Sequence, residues 1–380
     1  MATFLHVGDG WHSPEMRHEI GEAVFDPVIF IEHEGKRFVV CGPFETDIFG
    51  AREDILDEVV SFETLGADEL VKDTSFPEHL ILSELAARML DRIGASSVSV
   101  PSTFPTLAAD HLRDKQVTVA IDHDGWVMRR RRKAPWEIEG IERAQRAAET
   151  AMLTAARMLR DAERAPTGGL RFEGEPLTAE LIRESMEAEL LMQGTESKQI
   201  LIHSGDACLS GHDLGTGPIQ ADQSCIIDCF PHDLTTGTWS DMTRTFVPGQ
   251  ASEELRNLHA HVRKALDVAF DTLKAGSKDA FGHVAEYFHQ QGFPTQVHHN
   301  GEGMLKEGFM HSLGHGVGLE VHEKPWMGRR SDELIVGDVV AVEPGLYFPG
   351  VGGVRLEDTV LITEDGVEHF TEPFSYDLEP

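Results

Sequence analysis

Two acidic residues stand inside segments that otherwise have the composition of paired β-strands. Asp228 is the one charged residue of the run 224–230, and Asp241 follows 13 positions later, after a turn-like segment. In a hairpin the two carboxylates would become cross-strand neighbours on one face. Buried carboxylates are costly unless they are hydrogen-bonded, paired or bound to a metal ion. The pair therefore favours a bound cation, and the alternative is that Asp241 caps a turn while Asp228 pairs with Arg244.

A second acidic pair repeats this pattern later in the chain. Glu343 lies in the apolar segment 339–346, and Glu357 lies in the segment 353–363, 14 positions further on. A turn rich in glycine and proline separates the two segments. For Glu357 the alternative is an ion pair with Arg355, which lies on the same face of the predicted strand. The sequence offers Glu343 no comparable partner, so the second pair strengthens the prediction of a cation site.

A histidine flanked by glycines lies between the two acidic pairs. His315 has a glycine on either side, in a segment that also contains His311 and His322. Glycine is unfavourable inside helices, so this segment is not a helical HExxH zinc site. We interpret His315 as an imidazole held where backbone or ligand approaches closely. Chance clustering among the 20 histidines of the chain is the alternative, and it is weaker here than elsewhere.

Four carboxylates and one imidazole have the donor chemistry of a two-metal hydrolytic site. Four negative charges match two divalent cations, whereas one cation would not neutralise them. Oxygen-rich ligation with a single imidazole suits Mn²⁺ best, with Co²⁺ or Zn²⁺ as alternatives. Two such ions share a hydroxide nucleophile and polarise a carbonyl. The residue types predict metal-assisted hydrolysis, although the spacing alone does not show that they converge.

The composition restricts the partners and the compartment. The 380 residues include 33 Lys and Arg against 65 Asp and Glu, a formal net charge of −32. Such a chain repels phosphate backbones and anionic lipid surfaces, so we expect neither nucleic-acid nor membrane binding. The sequence shows no signal peptide, no apolar run long enough to span a bilayer and no cysteine framework. We therefore expect a cytoplasmic protein with reduced thiols.

Hydrophobic periodicity predicts two domains. Residues 1–133 alternate strand-like and helical stretches, including a hairpin over 28–41, and predict a small α/β domain. Residues 134–380 begin with a long amphipathic helix over 136–164 and contain every candidate site residue. Further helices are predicted over 79–93, 178–192 and 253–274.

A run of basic residues, 129–133, separates the two predicted domains. A patch that binds polyanions is one interpretation of this run. At the net charge of this chain we favour the other interpretation, a solvated linker whose cations pair with the acidic surface.

The ordered set of Asp228, Asp241, His315, Glu343 and Glu357 resembles that of the pita-bread metallopeptidases, which include methionine aminopeptidase, aminopeptidase P and prolidase. The matching motifs are SDMTRTF, HSLGHGVGLEVHE, VEPGLY and VRLEDTVLIT, and the resemblance begins near residue 135. It implies an α+β fold class, with a pita-bread (creatinase/aminopeptidase-like) catalytic domain after a smaller α/β creatinase/prolidase-type N-terminal domain. Methionine aminopeptidases lack that first domain, which favours prolidase or aminopeptidase P.

The resemblance also implies a role for each matching residue. The five acidic and histidine residues match the ligands of a dinuclear metal site, in which Asp241 and Glu357 bridge both ions. Glu343 matches the glutamate that acts as general base. The histidines that match the family's substrate-contacting and proton-transferring residues are His212, His311 and His322.

The activity implied is that of a dinuclear metal-dependent exopeptidase. Such an enzyme hydrolyses the N-terminal Xaa-Pro bond of peptides or dipeptides through a metal-bridging hydroxide. The resemblance implies a proline-containing peptide as the substrate and a homodimer as the assembly. The alternative is a pita-bread protein that is not a peptidase, either a creatinase-like hydrolase or a metal-free peptide- or protein-binding module. Because all five ligand positions hold acidic residues or histidine, the sequence favours the enzyme.

Overall fold

Two units make up the part of the chain that the computed structural model describes, namely residues 2–166, 169–211, 213–370 and 374–380. They comprise residues 1–130 and 131–380. Among the described helices, none combines the length and the apolar character that crossing a bilayer requires.

The first unit is a six-stranded mixed sheet with helices. Its strands are β1 (Phe4–Gly8), β2 (Val28–His33), β3 (Lys36–Cys41), β4 (Glu58–Ser61), β5 (Ser97–Val100) and β6 (Thr118–Ile121), in the order β4-β3-β2-β1-β5-β6. Its helices are α1 (Pro14–Ile20), α2 (Thr46–Gly50), α3 (Ala67–Lys72), α4 (Ile81–Arg92), α5 (Thr106–Asp114) and α6 (His123–Arg131). The predicted hairpin over 28–41 is confirmed, because β2 and β3 pair in antiparallel fashion.

The cations of the basic run 129–133 pair with acidic residues as predicted, but the run is not a solvated linker. Arg131 ends helix α6 and donates to both carboxylate oxygens of Asp338, at 2.9 and 2.6 Å. Lys133 pairs with Glu323, and these two side chains are only 2% and 5% exposed. Buried carboxylates such as these require a nearby cation, and Arg131 and Lys133 supply it.

The second unit contains four long helices among its described residues, and short strands. The helices are α7 (Pro135–Arg160), α8 (Ala179–Met192), α9 (Glu253–Thr272) and α10 (Ala280–Gln290). The strands are β7 (Glu163–Arg164), β8 (Leu170–Phe172), β9 (Glu175–Pro176), β10 (Thr195–Glu196), β11 (Ile200–Ser204), β12 (Cys225–Cys229), β13 (His232–Asp233), β14 (Met242–Phe246), β15 (Gly314–Gly316), β16 (Glu323–Met327), β17 (Val339–Val342), β18 (Gly345–Phe348), β19 (Gly352–Arg355), β20 (Asp358–Ile362) and β21 (Val367–His369). Helix α7 ends four residues before its predicted end, because β7 pairs with β8 there.

Two sheets of the second unit carry the candidate site residues. One is the antiparallel sheet β11-β12-β14, and the other has the order β16-β15-β17-β20-β21. Helices α7 and α8 cover the first sheet through a core that includes Ala148, Met152 and Ile182. Helices α9 and α10 cover the second through a core that includes Val262 and Phe288. Each of the two sheets therefore packs against a pair of helices.

The two acidic segments near the end of the chain are not continuous strands. The predicted strand 339–346 divides into β17 and β18, and the predicted strand 353–363 divides into β19 and β20. Glu343 and Glu357 occupy the two breaks. Pro344 follows the first glutamate and lacks the N–H that a continued ladder would need. Each glutamate therefore lies outside the strand ladder, and its side chain lines the cavity described below.

Side-chain and backbone hydrogen bonds join the two sheets beside these breaks. The Thr359 hydroxyl on β20 accepts from the Asp241 N–H at 3.1 Å and donates to the Asp241 carbonyl at 2.9 Å. The Glu357 N–H donates to the Thr243 carbonyl at 3.1 Å. These contacts fix two carboxylates that are distant in sequence in one relative position.

A buried ion pair supports the same junction and gives a first prediction. Arg244 donates to Asp358 at 2.8 Å, and both side chains are 1% exposed. Replacing Arg244 with alanine leaves Asp358 uncompensated, so we expect the free energy of unfolding to fall by about 3–5 kcal/mol. Arg164→Ala is the matched control, because its pair with Asp222 is largely exposed and contributes at most about 1 kcal/mol. Equal losses in urea denaturation of the two variants would contradict this account.

Candidate metal centre

Three of the predicted ligands form a buried group at the junction of the sheets. One ligand atom from each of Asp241, His315 and Glu357 lies within 4.8 Å of the others. Asp241 immediately precedes β14, His315 is the central residue of β15, and Glu357 lies between β19 and β20. All three side chains are buried. The structure therefore brings together donors from three separate segments of the sequence.

The other two predicted ligands line the same cavity, which has a volume of about 820 Å³. Glu343 Oε1 lies 3.9 Å from His315 Nε2, on the side of the imidazole that faces the acidic group. Asp228 lies in β12, the central strand of the sheet β11-β12-β14, opposite Thr243 of β14. The antiparallel pairing predicted for the two aspartate segments is confirmed, but the two aspartates are not cross-strand neighbours, because Asp241 lies one residue outside the ladder.

Neither of the ion pairs considered as alternatives is present. Arg244 pairs with Asp358 rather than with Asp228. Arg355 pairs with Asp228, at 2.5 Å, rather than with Glu357. Glu357 instead accepts a hydrogen bond from the Thr243 hydroxyl at 2.6 Å. The acidic group therefore holds more negative charge than its one neighbouring guanidinium compensates.

The electrostatics of the carboxylates follow from this crowding. Burial, reinforced by the charges of Glu357, Asp228 and Glu343, raises the pKa of Asp241 well above its ordinary value. Burial and the charges of Glu343 and Asp228 do the same for the pKa of Glu357. Burial also raises the pKa of Glu343 to about 7, although Arg355 opposes the shift. Without a compensating cation, the site retains protons at a pH where exposed carboxyls have lost them.

His315 presents a neutral imidazole to the acidic group. Burial, with His322 nearby, lowers the pKa of His315 to about 4. Nδ1 lies 3.1 Å from the Gly316 carbonyl, so this nitrogen carries the proton and donates it. Nε2 then keeps its lone pair and lies 3.7 Å from Asp241 Oδ2. This tautomer is the one that binds a metal through Nε2.

The donor set fits divalent cations. Asp228 Oδ1 and Asp241 Oδ1 are buried, and neither has a hydrogen-bond partner among the described residues. Orphaned carboxylate oxygens beside a neutral imidazole are costly unless a cation binds them. Carboxylates with one imidazole are the ligand types of Mn²⁺, Co²⁺ and Zn²⁺ sites. The five residues could therefore hold metal ions.

Two of the three predicted substrate-contacting histidines lie at this cavity. His311 Nε2 is 3.0 Å from the Tyr347 hydroxyl, and its Nδ1 is 3.8 Å from Glu343 Oε2. The His322 ring is centred 4.3 Å from that of His315. The residues just before His322 are irregular. His212 lies outside the described residues.

Sequence reasoning missed two residues that organise the site. Thr243 donates to Glu357 and accepts from Arg355 Nε at 3.1 Å, so it connects a carboxylate to the guanidinium. Tyr347 accepts from Arg355 Nη1 at 3.2 Å and contacts His311. Both residues lie inside the motifs that carry the resemblance, two positions after Asp241 and four after Glu343. Only the motif context could have indicated them, because neither residue type is unusual in a strand.

The raised pKa values predict how the metal-free protein responds to pH. The Glu343 pKa rises from 4.5 to about 7 on folding, so its favourable contribution is present below pH 4.5 and disappears as the pH rises through 7. For this group alone, the free energy of unfolding falls by about 3 kcal/mol as the pH rises. This corresponds to a fall in Tm on the order of 5–10 °C. We expect thermal unfolding between pH 5 and 8 to show it. Glu343→Gln should flatten the dependence and Mn²⁺ should oppose it; an equal slope in the variant would contradict the assignment.

The comparisons with known proteins agree with this geometry. The model of metallopeptidase family M24 matches residues 139–364. A curated Xaa-Pro dipeptidase from Pyrococcus furiosus is 31% identical over 246 residues, which are 63% of this chain and 63% of that protein. A second Xaa-Pro dipeptidase, from Pyrococcus horikoshii, is 39% identical over 140 residues, 35% of each chain. The matched part of this chain thus spans less than two thirds of these relatives.

Solved structures match nearly the whole chain. An Xaa-Pro dipeptidase from Bacillus anthracis has a TM-score of 0.77 at 21% identity and covers 99% of this chain and 94% of its own. An X-Pro aminopeptidase from Thermotoga maritima has a TM-score of 0.76 at 22% identity, covering 99% and 97%. These structures confirm the predicted fold class, a pita-bread domain with a smaller α/β domain before it. Since the family model also covers more than half of the sequence, the chain belongs to metallopeptidase family M24.

Proposed function

We propose that this protein is a dinuclear metal-dependent exopeptidase that hydrolyses the N-terminal Xaa-Pro bond of peptides, with a hydroxide shared by two ions as nucleophile. The observation that carries the proposal is the buried group of Asp241, His315 and Glu357, with Asp228 and Glu343 in the same cavity. The names of the relatives support the choice of bond, because they include Xaa-Pro dipeptidases and an X-Pro aminopeptidase.

We propose two ions per chain, with Mn²⁺ as the preferred metal. The five ligands would be the four carboxylates and His315, and Asp241 and Glu357 would contact both ions. When bound, the ions supply Lewis acidity toward the scissile carbonyl and a nucleophile from water at neutral pH. The four negative charges of the ligands support this stoichiometry, since one divalent ion leaves two of them uncompensated.

We propose that Glu343 moves a proton during the reaction. Its Oε1 lies 3.9 Å from His315 and its Oε2 lies 3.8 Å from His311. The carboxylate therefore lies between a residue of the ligand group and a histidine that lines the cavity. A carboxylate there takes the proton of the attacking water and returns it to the leaving nitrogen. That nitrogen belongs to proline, which has no N–H for ordinary proteases to bind.

Two histidines of the cavity wall would orient the scissile carbonyl. His322 lies beside His315, and the Tyr347 hydroxyl holds His311 through Nε2. Donors aimed at the developing oxyanion stabilise the transition state more than the ground state. The role of His212 as a substrate contact rests on the family resemblance.

Several further proposals rest on the resemblance and the composition. We propose that residues 1–133 form the creatinase/prolidase-like domain and that residues 134–380 form the catalytic domain. We further propose a homodimer in the cytoplasm that binds no nucleic acid, which the net charge of −32 supports.

The proposed bond specificity is tested by hydrolysis of peptides that differ in the residue after the first. The Mn²⁺-loaded protein should release alanine from Ala-Pro or Ala-Pro-Ala far faster than it cleaves Ala-Ala-Ala or Met-Ala-Ser, and EDTA should abolish the release. A preference for Met-Ala-Ser would contradict the proline specificity. Absence of all four activities in protein with a full metal complement would contradict the exopeptidase itself.

A further inference from the structure

Apart from histidines, the described walls of the cavity beside the candidate metal centre offer a substrate one arginine and no lysine. Arg355 is the only lysine or arginine among the described residues that line it. Each of its three guanidinium nitrogens already donates, to Asp228, Tyr347 and Thr243, at 2.5, 3.2 and 3.1 Å. Arg329 does not line the cavity, and its guanidinium donates to the Gln296 carbonyl at 2.9 Å. A carboxylate in this cavity would therefore find no lysine on these walls, and their one arginine is already hydrogen-bonded.

The wall next to the metal centre is aromatic and apolar. Trp326 on β16 is the cross-strand neighbour of His315. Its ring is centred 6.4 Å from that of His322, with 30° between the two planes. Met304, 88% exposed, and Leu305 continue the apolar lining toward solvent. Aromatic surfaces of this kind accept proline rings and apolar side chains.

The cavity also has room for a sizeable ligand. Its volume of about 820 Å³ lies in the upper part of the range of roughly 300–1,000 Å³ that is typical for whole drug-sized ligands. The space beyond the metal centre can accept further residues along the wall that contains Trp326.

We infer, on the basis of the proposed exopeptidase function, that the preferred substrates are peptides of three or more residues, and that Trp326 packs against the residues after the scissile bond. In a dipeptide the proline carries a free carboxylate, and placing it against the described walls without a lysine or an unengaged arginine is costly. In a longer peptide the same position is a neutral amide. The terminal carboxylate then lies further out, in water.

Three substrates test this inference: Ala-Pro, its amide, which lacks the terminal charge, and the tripeptide Ala-Pro-Ala. With the Mn²⁺-loaded protein, we expect kcat/KM for Ala-Pro-amide and Ala-Pro-Ala to exceed that for Ala-Pro by about tenfold or more. Hydrolysis of Ala-Pro as fast as the amide would overturn the inference and leave the proposed function intact. Failure to hydrolyse any of the three would overturn the proposed function, and the inference with it.

Two substitutions at Trp326 test its role separately. Trp326→Arg places a guanidinium on the wall, so the ratio of Ala-Pro to Ala-Pro-amide hydrolysis should rise about tenfold. Trp326→Leu removes the ring without adding charge, so this ratio should stay unchanged while kcat/KM for Ala-Pro-Ala falls. Retention of the bound Mn²⁺ verifies that each variant is folded. An unchanged ratio in the first variant, or unchanged tripeptide hydrolysis in the second, would overturn the assignment of Trp326.

Discussion

Replacing Glu357 with glutamine is expected to abolish hydrolysis and to remove bound metal. Glu357 is buried in the ligand group, and the Thr243 hydroxyl holds its Oε2 at 2.6 Å. The amide keeps the size of the side chain but loses its charge and one anionic donor, so the site would hold a metal ion less tightly. We expect kcat/KM for the prolyl peptide to fall by about 10³-fold or more. Elemental analysis of the same sample should show a reduced metal content.

The stability of the metal-free variant separates this explanation from misfolding. Burial and the charges of Glu343 and Asp228 raise the pKa of Glu357, so its ionised form destabilises the empty site at high pH. Metal-free Glu357→Gln should therefore unfold at a higher temperature than the metal-free wild type at pH 8. Glu368→Gln, at an exposed position of β21, is the matched control and should change neither property. Unaltered metal content and hydrolysis in both Glu357→Gln and Asp241→Asn would contradict the ligand assignment.

Replacing His322 with alanine is expected to separate catalysis from metal binding. Its ring lies beside His315 at the cavity, yet the residue itself is exposed and is not part of the buried ligand group. Loss of a positioned donor or acid–base group lowers kcat by about 10²- to 10³-fold. Steady-state kinetics on a prolyl tripeptide should show this loss while the metal content stays at its wild-type level.

The outcome of this substitution distinguishes three roles for the residue. His283→Ala changes an exposed histidine of α10 that does not line the cavity, and it should leave kcat unchanged. Wild-type turnover in His322→Ala would remove the residue from the mechanism. Loss of metal together with turnover would make it a ligand or a support of the ligand group.

The sequence identified the buried acidic residues of the cavity because buried charge is rare and informative. An acidic residue such as Asp228 in an apolar strand requires a partner wherever the strand packs. The motifs around Asp241 and His315 added the order of the ligands. The convergence of these residues depends on contacts between β14, β19 and β20, which join segments more than 100 positions apart. Local periodicity contains no information about such contacts.

The breaks in the strands and the partners of the basic residues also depend on contacts that are distant in sequence. Glu343 and Glu357 occupy breaks between strands, whereas composition predicted continuous strands through both of them. Sequence proximity suggested Glu357 as the alternative partner of Arg355, whereas the fold supplies Asp228 instead. The basic run ending at Lys133 was interpreted from net charge alone. Its cations are buried against acidic residues that are nearly 200 positions away or more.

The most direct test of the account is a titration of the metal-free protein with Mn²⁺ at neutral pH. Because the cavity places four carboxylates and one neutral imidazole together, we predict that binding saturates at two ions per chain. Hydrolysis of the prolyl tripeptide should rise with occupancy. Saturation at or below one ion per chain, or binding of two ions that persists in Asp241→Asn, would contradict the dinuclear site.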